Sequence, residues 1–574
     1  MSTWNRFSLA IILAGSLAGA AAAQTQTADR TQQQTGSSTS GQVTTIGQAV
    51  DRITAREHDE NAVIRRYNPI VETYVQDMKA DAELGAVPVK DHYYLGQAEL
   101  MNGLADKSML DKKKKGKTEE ESLLSRKSGS SDNTYDPQGF LQMIYVDENG
   151  FDREHYQFDY AGREFLGEVR CLVFDVTPLP KSGKGRFYGR IWVEDQGYAI
   201  VRFNGTFTNG GEESSGNLHF DSWRLNMQPD LWLPAFVFSE ELEQKNSKGE
   251  PTHFKAQTRL WGYALKSTEH EPGFNESSMP LPSADDVNGA SAQDHSPIEV
   301  EREWQHRAEV NVIARLERIG LLAPVGEVDK VLETVINNLE VTNNLDVEPD
   351  VHCRVLLTGT LESFSIGHTI VISRGLLDVL PDEASLATML AQELAEVIVT
   401  KPSTDQWGFN DTTNVSAAEA LTRFSFKATS AEADMANQKA IEFLKHSPYN
   451  DKLANAALFL KQLQADSSAL PSLINARLGN SVELSSALLN MGPALQADKL
   501  DQIAALPLGA RIKMDPWSDR VELVKAKAVS LHSAREKMPF EITPFMPFLT
   551  RYQDAKRPGK QDSSSLASKD ASRR

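Results

Sequence analysis

A chain of 574 residues is too long for one ordinary domain and allows about three. Its 40% apolar and 24% charged residues are the balance of a globular protein able to form sizeable cores. The formal net charge of −19 argues against nucleic acid or an anionic membrane surface as the main partner.

The first residues read as an export signal. Arg6 supplies a positive start, Phe7 to Ala23 is an Ala/Leu-rich apolar run, and Ala20-Ala21-Ala22-Ala23-Gln24 offers small residues for cleavage near Ala23. An uncleaved anchor is the rival reading, since the run approaches bilayer-spanning length. Its many Ala and Gly residues make it weakly hydrophobic, which favours cleavage of residues 1–23. No later stretch is long and apolar enough to span a membrane, so the expected product is exported, periplasmic or extracellular, with no transmembrane span after cleavage. Residues 24–45 are Gln, Thr and Ser, too poor in apolar surface to order, and predict a disordered leader.

From Ile46 to Leu104 apolar residues recur at helical spacing, as in Val63-Ile64, Tyr67, Ile70-Val71 and Tyr74-Val75, which predicts a helical region over 46–125. Within it, Lys112 to Lys115 followed by Glu119 to Glu121 is a charge block of the kind found in solvated loops. The period then changes. Segments 140–147, 155–160, 169–177, 186–194, 198–207, 217–226, 231–240 and 253–263 are rich in β-branched and aromatic residues, with Gly, Asn, Asp and Pro between them. They predict an antiparallel sheet over 135–265 that curls or closes, with a hairpin turning at Asp195-Gln196-Gly197.

That hairpin, Gly189 to Arg202, together with Val173-Phe174-Asp175-Val176-Thr177-Pro178, resembles the half-barrel of periplasmic lipoprotein carriers and related envelope-stress sensors. The resemblance implies a curved sheet whose concave face holds acyl chains, so lipid is one candidate partner. The plainer alternative is a sheet packed over its own helices.

Residues 266–298 are Ser, Pro, Asn, Asp and Glu and predict a linker. Region 299–550 alternates expected helices (301–319, 327–340, 383–400, 414–428, 431–446, 450–464) with strand-like 351–358 and 369–373, and 551–574 reads as a disordered tail. The only cysteines, Cys171 and Cys353, fall in different domains. Export permits a disulfide, and two buried thiols explain them equally well.

One constellation in the third region carries chemistry. Thr369 to Ser373 is a strand, Arg374 to Leu380 a short helix, and Pro381-Asp382-Glu383 opens a longer helix with acids in its first turn. On that helix Gln392 and Glu396 project from one face and Glu393 lies about 100° round. This order resembles the HtpX-like and BepA-like metallopeptidases, bacterial relatives of the CAAX prenyl proteases. In that family the helix carries His-Glu-x-x-His for zinc and its activated water, and a later glutamate is the third ligand. The resemblance places Gln392 and Glu396 at the two histidine positions, Glu393 at the catalytic glutamate and Glu432 at the third ligand. It further places Phe364, Gly367 and His368 along the substrate cleft.

With both imidazoles replaced, no cofactor is expected. Zinc or another divalent cation enters only if the site is active, and a carboxylate–amide set suits harder cations better than zinc. The expected fold class is α+β and multidomain, with an N-terminal antiparallel curved sheet and a mainly helical, zincin-like C-terminal domain carrying a small sheet. The expected function is an exported pseudopeptidase that binds polypeptide or another envelope protein without cleaving it. The alternatives are an active metalloendopeptidase with Glu393 as base, and a hydrophobic-ligand carrier acting through the β domain. No nucleic-acid partner is expected.

Overall fold

The computed structural model describes residues 45–81, 85–100, 105–108, 135, 137–209, 218–241, 244–245, 251–265, 297–399, 426–481, 486–490, 512–515, 520–523 and 540–552. The leader, the charge block, and nearly all of the linker, the expected helix 414–428 and the tail fall outside these residues. So does the export segment. The described end of that helix, Phe426 to Ala428, is not helical. Among the described residues no helix is long and apolar enough to cross a membrane.

Helix α1 (Ile46–Ile64) starts where the Thr45 side chain accepts the Gln48 N–H, an N-cap. It ends earlier than its spacing predicts: residues expected to continue the helix form β1 (Tyr67–Asp81) and β2 (Gly85–Glu99). The cause is burial on both faces. Val71 and Val75 enter one core and Ile70 another, so the strand lacks a clean alternation and its apolar pairs imitate a helical period. A short β3 (Ala105–Ser108) follows. The strand expected at 140–147 is instead α2 (Pro137–Leu141) with a 3-10 turn at Gln142–Ile144. Pro137 suits a first helical turn, and Phe140, Leu141, Met143, Ile144, Tyr145 and Val146 are all buried, leaving no alternation to read.

The expected strands follow as β4 (Tyr156–Leu166), which runs six residues past the end of its segment, β5 (Val169–Pro178), β6 (Lys184–Glu194), β7 (Ile200–Asn209), β8 (Leu218–Gln228), β9 (Leu231–Glu241) and β11 (Pro251–Leu265), with a short unexpected β10 (Gln244–Lys245). They form one eleven-stranded sheet in the order β3-β2-β1-β11-β9-β8-β7-β6-β5-β4, with β10 on β11. The β domain therefore begins at Tyr67 rather than at residue 135. Gly189 and Gly205 oppose each other on β6 and β7, so close that a Cβ on either would strike the other strand's backbone. The Phe187 ring packs against both glycines, a pattern that lets a sheet bend while keeping its core filled.

One face of the sheet is covered by α1 and residues 137–151. Arg224 of β8 fixes α1 there, its Nη1 and Nη2 donating to Glu57 Oε2 and Oε1 at 2.7 Å each, and Nη1 to Glu60 Oε2 at 3.2 Å. The opposite face carries Trp192, Trp223, Trp232, Phe236 and Phe238. On it Arg202 is held by Asp221 at 2.8 and 3.0 Å and sandwiched between the Trp192 and Trp223 rings, at 4.2 and 4.5 Å from their centroids. Residues 540–552, without helix or strand, cross this face and bury Ile542 and Leu549 in it.

The C-terminal part comprises α3 (Pro297–Ile319), α4 (Glu327–Asn343), α5 (Arg374–Val379), α6 (Glu383–Val399), α7 (Ser430–Lys445), α8 (Leu453–Asp466), α9 (Pro471–Ile474) and α10 (Ser486–Leu489). These surround a small sheet of β12 (His352–Leu356), β13 (Glu362–Ile366), β14 (Thr369–Ser373) and β15 (Asn480–Ser481), ordered β12-β14-β13-β15. A separate hairpin, β16 (Ile512–Asp515) and β17 (Arg520–Leu523), completes the strands. The fold is α+β.

The helical part is not hung on a free linker but bonded to the large sheet. Glu72 of β1 accepts the Gly359 N–H at 2.5 Å, the Tyr93 hydroxyl at 2.6 Å and the Arg259 guanidinium at 3.0 Å. Asp91 of β2 accepts the N–H groups of Ser472 and Leu473 at 2.9 and 2.8 Å, capping α9. Cys171 and Cys353 are free and buried in separate cores.

Candidate functional site

Gln392, Glu393 and Glu396 all lie in the buried stretch of α6. Glu393 is only 1% exposed. The Ser363 hydroxyl donates to its Oε1 at 2.6 Å, while Oε2 has no hydrogen-bond partner among the described residues. Burial first, and the neighbouring Glu396 second, push the Glu393 carboxyl well above the usual range. Burial thus disfavours its charged form, the form a general base needs.

Glu432 stands apart in role. It is exposed and closes a reciprocal capping box at the start of α7, its Oε2 accepting the Thr429 N–H at 2.9 Å and the Thr429 hydroxyl at 2.6 Å. Those bonds hold its carboxyl below the usual range. The structure gives Glu432 a partner other than a metal. Among the described residues, no three His, Cys, Asp or Glu side chains converge to hold a metal ion.

The expected cleft residues are also engaged. The Phe364 ring is fully buried and stacked on Phe426, centroids 4.8 Å apart. Gly367, at φ 57°, makes the tight β13–β14 turn against Glu309 of α3, where an added Cβ would strike the Glu309 carboxylate. Burial raises the Glu309 carboxyl to about 7, and the adjoining His368, half-buried, is held below its usual value by burial and by His306. Part of each edge of the small sheet is met by the chain itself. Leu321 to Ala323 bond along β12, and β15 pairs with β13 at Glu362 and Ser363. The feature missed from sequence is Glu362. Fully buried, its Oε2 accepts three consecutive N–H groups, from Arg477, Leu478 and Gly479 at 3.0, 2.8 and 3.1 Å, and its Oε1 the Thr360 hydroxyl at 2.6 Å.

The raised Glu393 carboxyl has a measurable consequence. Its native pKa lies above the ordinary 4.5, so its contribution to stability is full below about pH 4.5 and is lost as pH rises toward the native value. Glu60 and Glu241, both raised to about 7, share this sign. Glu393→Gln, neutral at every pH and still able to accept from Ser363, is expected to raise the urea midpoint at about pH 8 and leave it nearly unchanged near pH 4 to 5. Equal midpoints for the two proteins at both values would refute a raised Glu393 carboxyl.

On the large sheet, Phe203 of β7, Ile191 of β6, Phe174 of β5 and Tyr160 of β4 are directly opposed in register, a single apolar ladder crossing four strands. A second row runs through Ile200, Val193, Leu172 and Arg163. The inner ends of both are buried in the core shared with α1 and residues 137–151. The outer end comes to the surface: Tyr160 is 42% and Phe165 69% exposed, while the Tyr160 and Phe174 rings meet edge-on at 5.5 Å. Phe165 opposes Arg170, and alternation from Arg163 puts it on the same face. On this face Arg163 lies between Tyr160 and Phe165 along β4 and Arg170 sits opposite Phe165, so two exposed cations adjoin the exposed rings, and Arg170 also pairs with Asp195. The alternation of β4 to β7 already contained this face. Its open end depends on where α1 stops, which spacing does not reveal.

No protein-family model and no curated protein sequence matches the chain. Solved structures similar to it include a putative outer membrane lipoprotein-sorting protein domain from Vibrio parahaemolyticus, 10% identical, covering 40% of this chain and 98% of that one with a TM-score of 0.21. Another is a DUF1329 family protein from Desulfovibrio piger, 12% identical, with the same coverage and a TM-score of 0.20. A third is the MucA/MucB complex of Pseudomonas aeruginosa, 8% identical over 37% of this chain and 94% of that one, with a TM-score of 0.13.

Proposed function

We propose that the protein is an exported, non-catalytic carrier that binds an extended apolar ligand with an anionic head on the large sheet, where the Phe203–Ile191–Phe174–Tyr160 ladder emerges with Arg163 and Arg170 in the rows beside it. The observation that carries this reading is the open end of the ladder. A contiguous apolar face that continues a buried core and surfaces beside cations suits an acyl chain, the chain lying on aromatic rings and the carboxylate or phosphate meeting guanidinium groups. The peptide-cleft reading of α6 has less support, because Glu393 is buried and Glu432 caps a helix.

The test uses the chain from Gln24, the product of the expected cleavage, and cis-parinaric acid, a fluorescent fatty acid. The wild-type protein is expected to bind it saturably, and Phe165→Glu to weaken binding by about tenfold or more through loss of an apolar contact and repulsion of the carboxylate. Equal binding by both proteins would remove the site from this end of the ladder.

A further inference from the structure

The segment crossing the tryptophan-lined face buries only part of itself. Ile542 and Leu549 point into the sheet, whereas Phe545, Met546, Phe548 and Tyr552 are 47%, 47%, 61% and 42% exposed. The segment is firmly held at both ends. Gln76, fully buried, donates to the Phe540 carbonyl at 2.7 Å and accepts the Ile542 N–H at 2.8 Å, and Lys255 pairs with Glu541. At the other end the Leu549 carbonyl accepts the Glu168 N–H at 2.8 Å, Arg551 pairs with Glu194 at 2.9 Å, and the Tyr552 N–H donates to Asn226 at 2.6 Å. The exposed rings and thioether are therefore displayed on a fixed ridge.

Two further features decide what the ridge fits. Residues 542–550 carry no charge, and Pro544 and Pro547 contribute no N–H, so this backbone has fewer donors to leave unmet on entering an apolar medium. The bounding charges, Glu541 and Arg551, are already paired. The 22 residues after Tyr552 then carry six basic side chains (Lys556, Arg557, Lys560, Lys569, Arg573 and Arg574) against three Asp, a local charge of +3 in a chain whose total is −19.

We infer that the Phe545–Tyr552 ridge is a docking surface for an anionic lipid bilayer: the aromatic and Met side chains enter the headgroup boundary while the basic segment that follows is drawn to the lipid phosphates. An apolar wedge joined to a basic stretch is the two-signal arrangement that stable interfacial attachment needs. The acidic remainder does not prevent this. Screening confines electrostatic influence to roughly 8 Å at physiological salt, so the charges next to the ridge govern the contact. Glu168, exposed beside Leu549, is a local acid opposing it.

The experiment is co-sedimentation of the chain from Gln24 with phosphatidylcholine vesicles, with and without a minor fraction of phosphatidylglycerol. The wild-type protein is expected to bind the anionic vesicles and to be partly released by salt. The triple variant Phe545→Ser, Met546→Ser, Phe548→Ser should lose at least about tenfold in partition. Met546 and Phe548 are about half or more exposed, while the Phe545 ring also meets Phe236 edge-on at 5.3 Å. The thermal midpoint is therefore measured to show that the variant is folded, and Met546→Ser with Phe548→Ser alone serves where it is not. A chain ending at Tyr552 should keep weak binding and lose its salt dependence. Absence of wild-type binding, or equal partition of the triple variant, overturns the inference. So does wild-type self-association that the triple variant abolishes without any effect of vesicles, which would assign the ridge to a second copy.

Discussion

Arg224→Ala is expected to lower unfolding free energy by about 3–5 kcal/mol, because it leaves Glu57 buried without a cation and Glu60 with Arg56 alone. Arg224 and Glu57 are fully buried and Glu60 almost so. Burial already raises the Glu60 carboxyl to about 7 despite Arg224, with Glu57 adding repulsion. Taking the guanidinium away removes the main term opposing that rise. The loss should be concentrated in α1, whose fixation to β8 depends on these bonds, so its amide hydrogens should exchange faster than those of β6 and β7. Urea unfolding monitored by Trp fluorescence gives the global figure. A change below about 1 kcal/mol would show that α1 is held by its apolar contacts alone.

The second large effect concerns Glu362. Its carboxylate terminates three consecutive N–H groups and a hydroxyl, all within the interior. Glu362→Ala strands these donors and is expected to cost about 3 kcal/mol or more. Glu362→Gln should cost less, about 1–2 kcal/mol. With its amide oxygen toward the three backbone donors, its NH2 group meets the Thr360 hydroxyl, which can turn to accept it, so what is lost is the charge-assisted strength. Near-wild-type urea stability of Glu362→Gln would contradict the account of this residue as an anionic staple between β13 and the Arg477–Gly479 loop.

Among the β strands, β8 and β9, mostly buried on both faces, stood out by their aromatic and β-branched residues between turn residues. β4 to β6 carry a polar or half-exposed face over part of their length and β7 a polar row through Arg202, Asn204, Thr206 and Thr208, and alternation survives there. It disappears where burial is two-sided. β1 contributes Val71 and Val75 to one core and Ile70 to another, and its paired apolar residues imitate a helical stripe. The α6 helix was legible as an element and misleading as a site. From Ala384 to Glu396 it is buried all round, a property announced by its Ala and Leu content more than by its two acids. Glu432 had a local signature as well. Thr429-Ser430-Ala431-Glu432 follows the capping-box pattern, and that reading accounts for its bonds without a metal. Glu362 gave no signal, because its partners lie more than a hundred residues away at Arg477 to Gly479. The Phe203 to Tyr160 ladder was present as alternation in four strands. Only the register, and the limit of α1, show that one end is open.

The central claim, an apolar ligand on the open end of that ladder, is tested most directly by titrating the purified chain from Gln24 with cis-parinaric acid and following the probe's fluorescence. The account predicts saturable binding that an unlabelled fatty acid displaces and that Phe165→Glu weakens. A wild-type titration with no saturable signal, from protein stripped of any co-purified lipid, would contradict it.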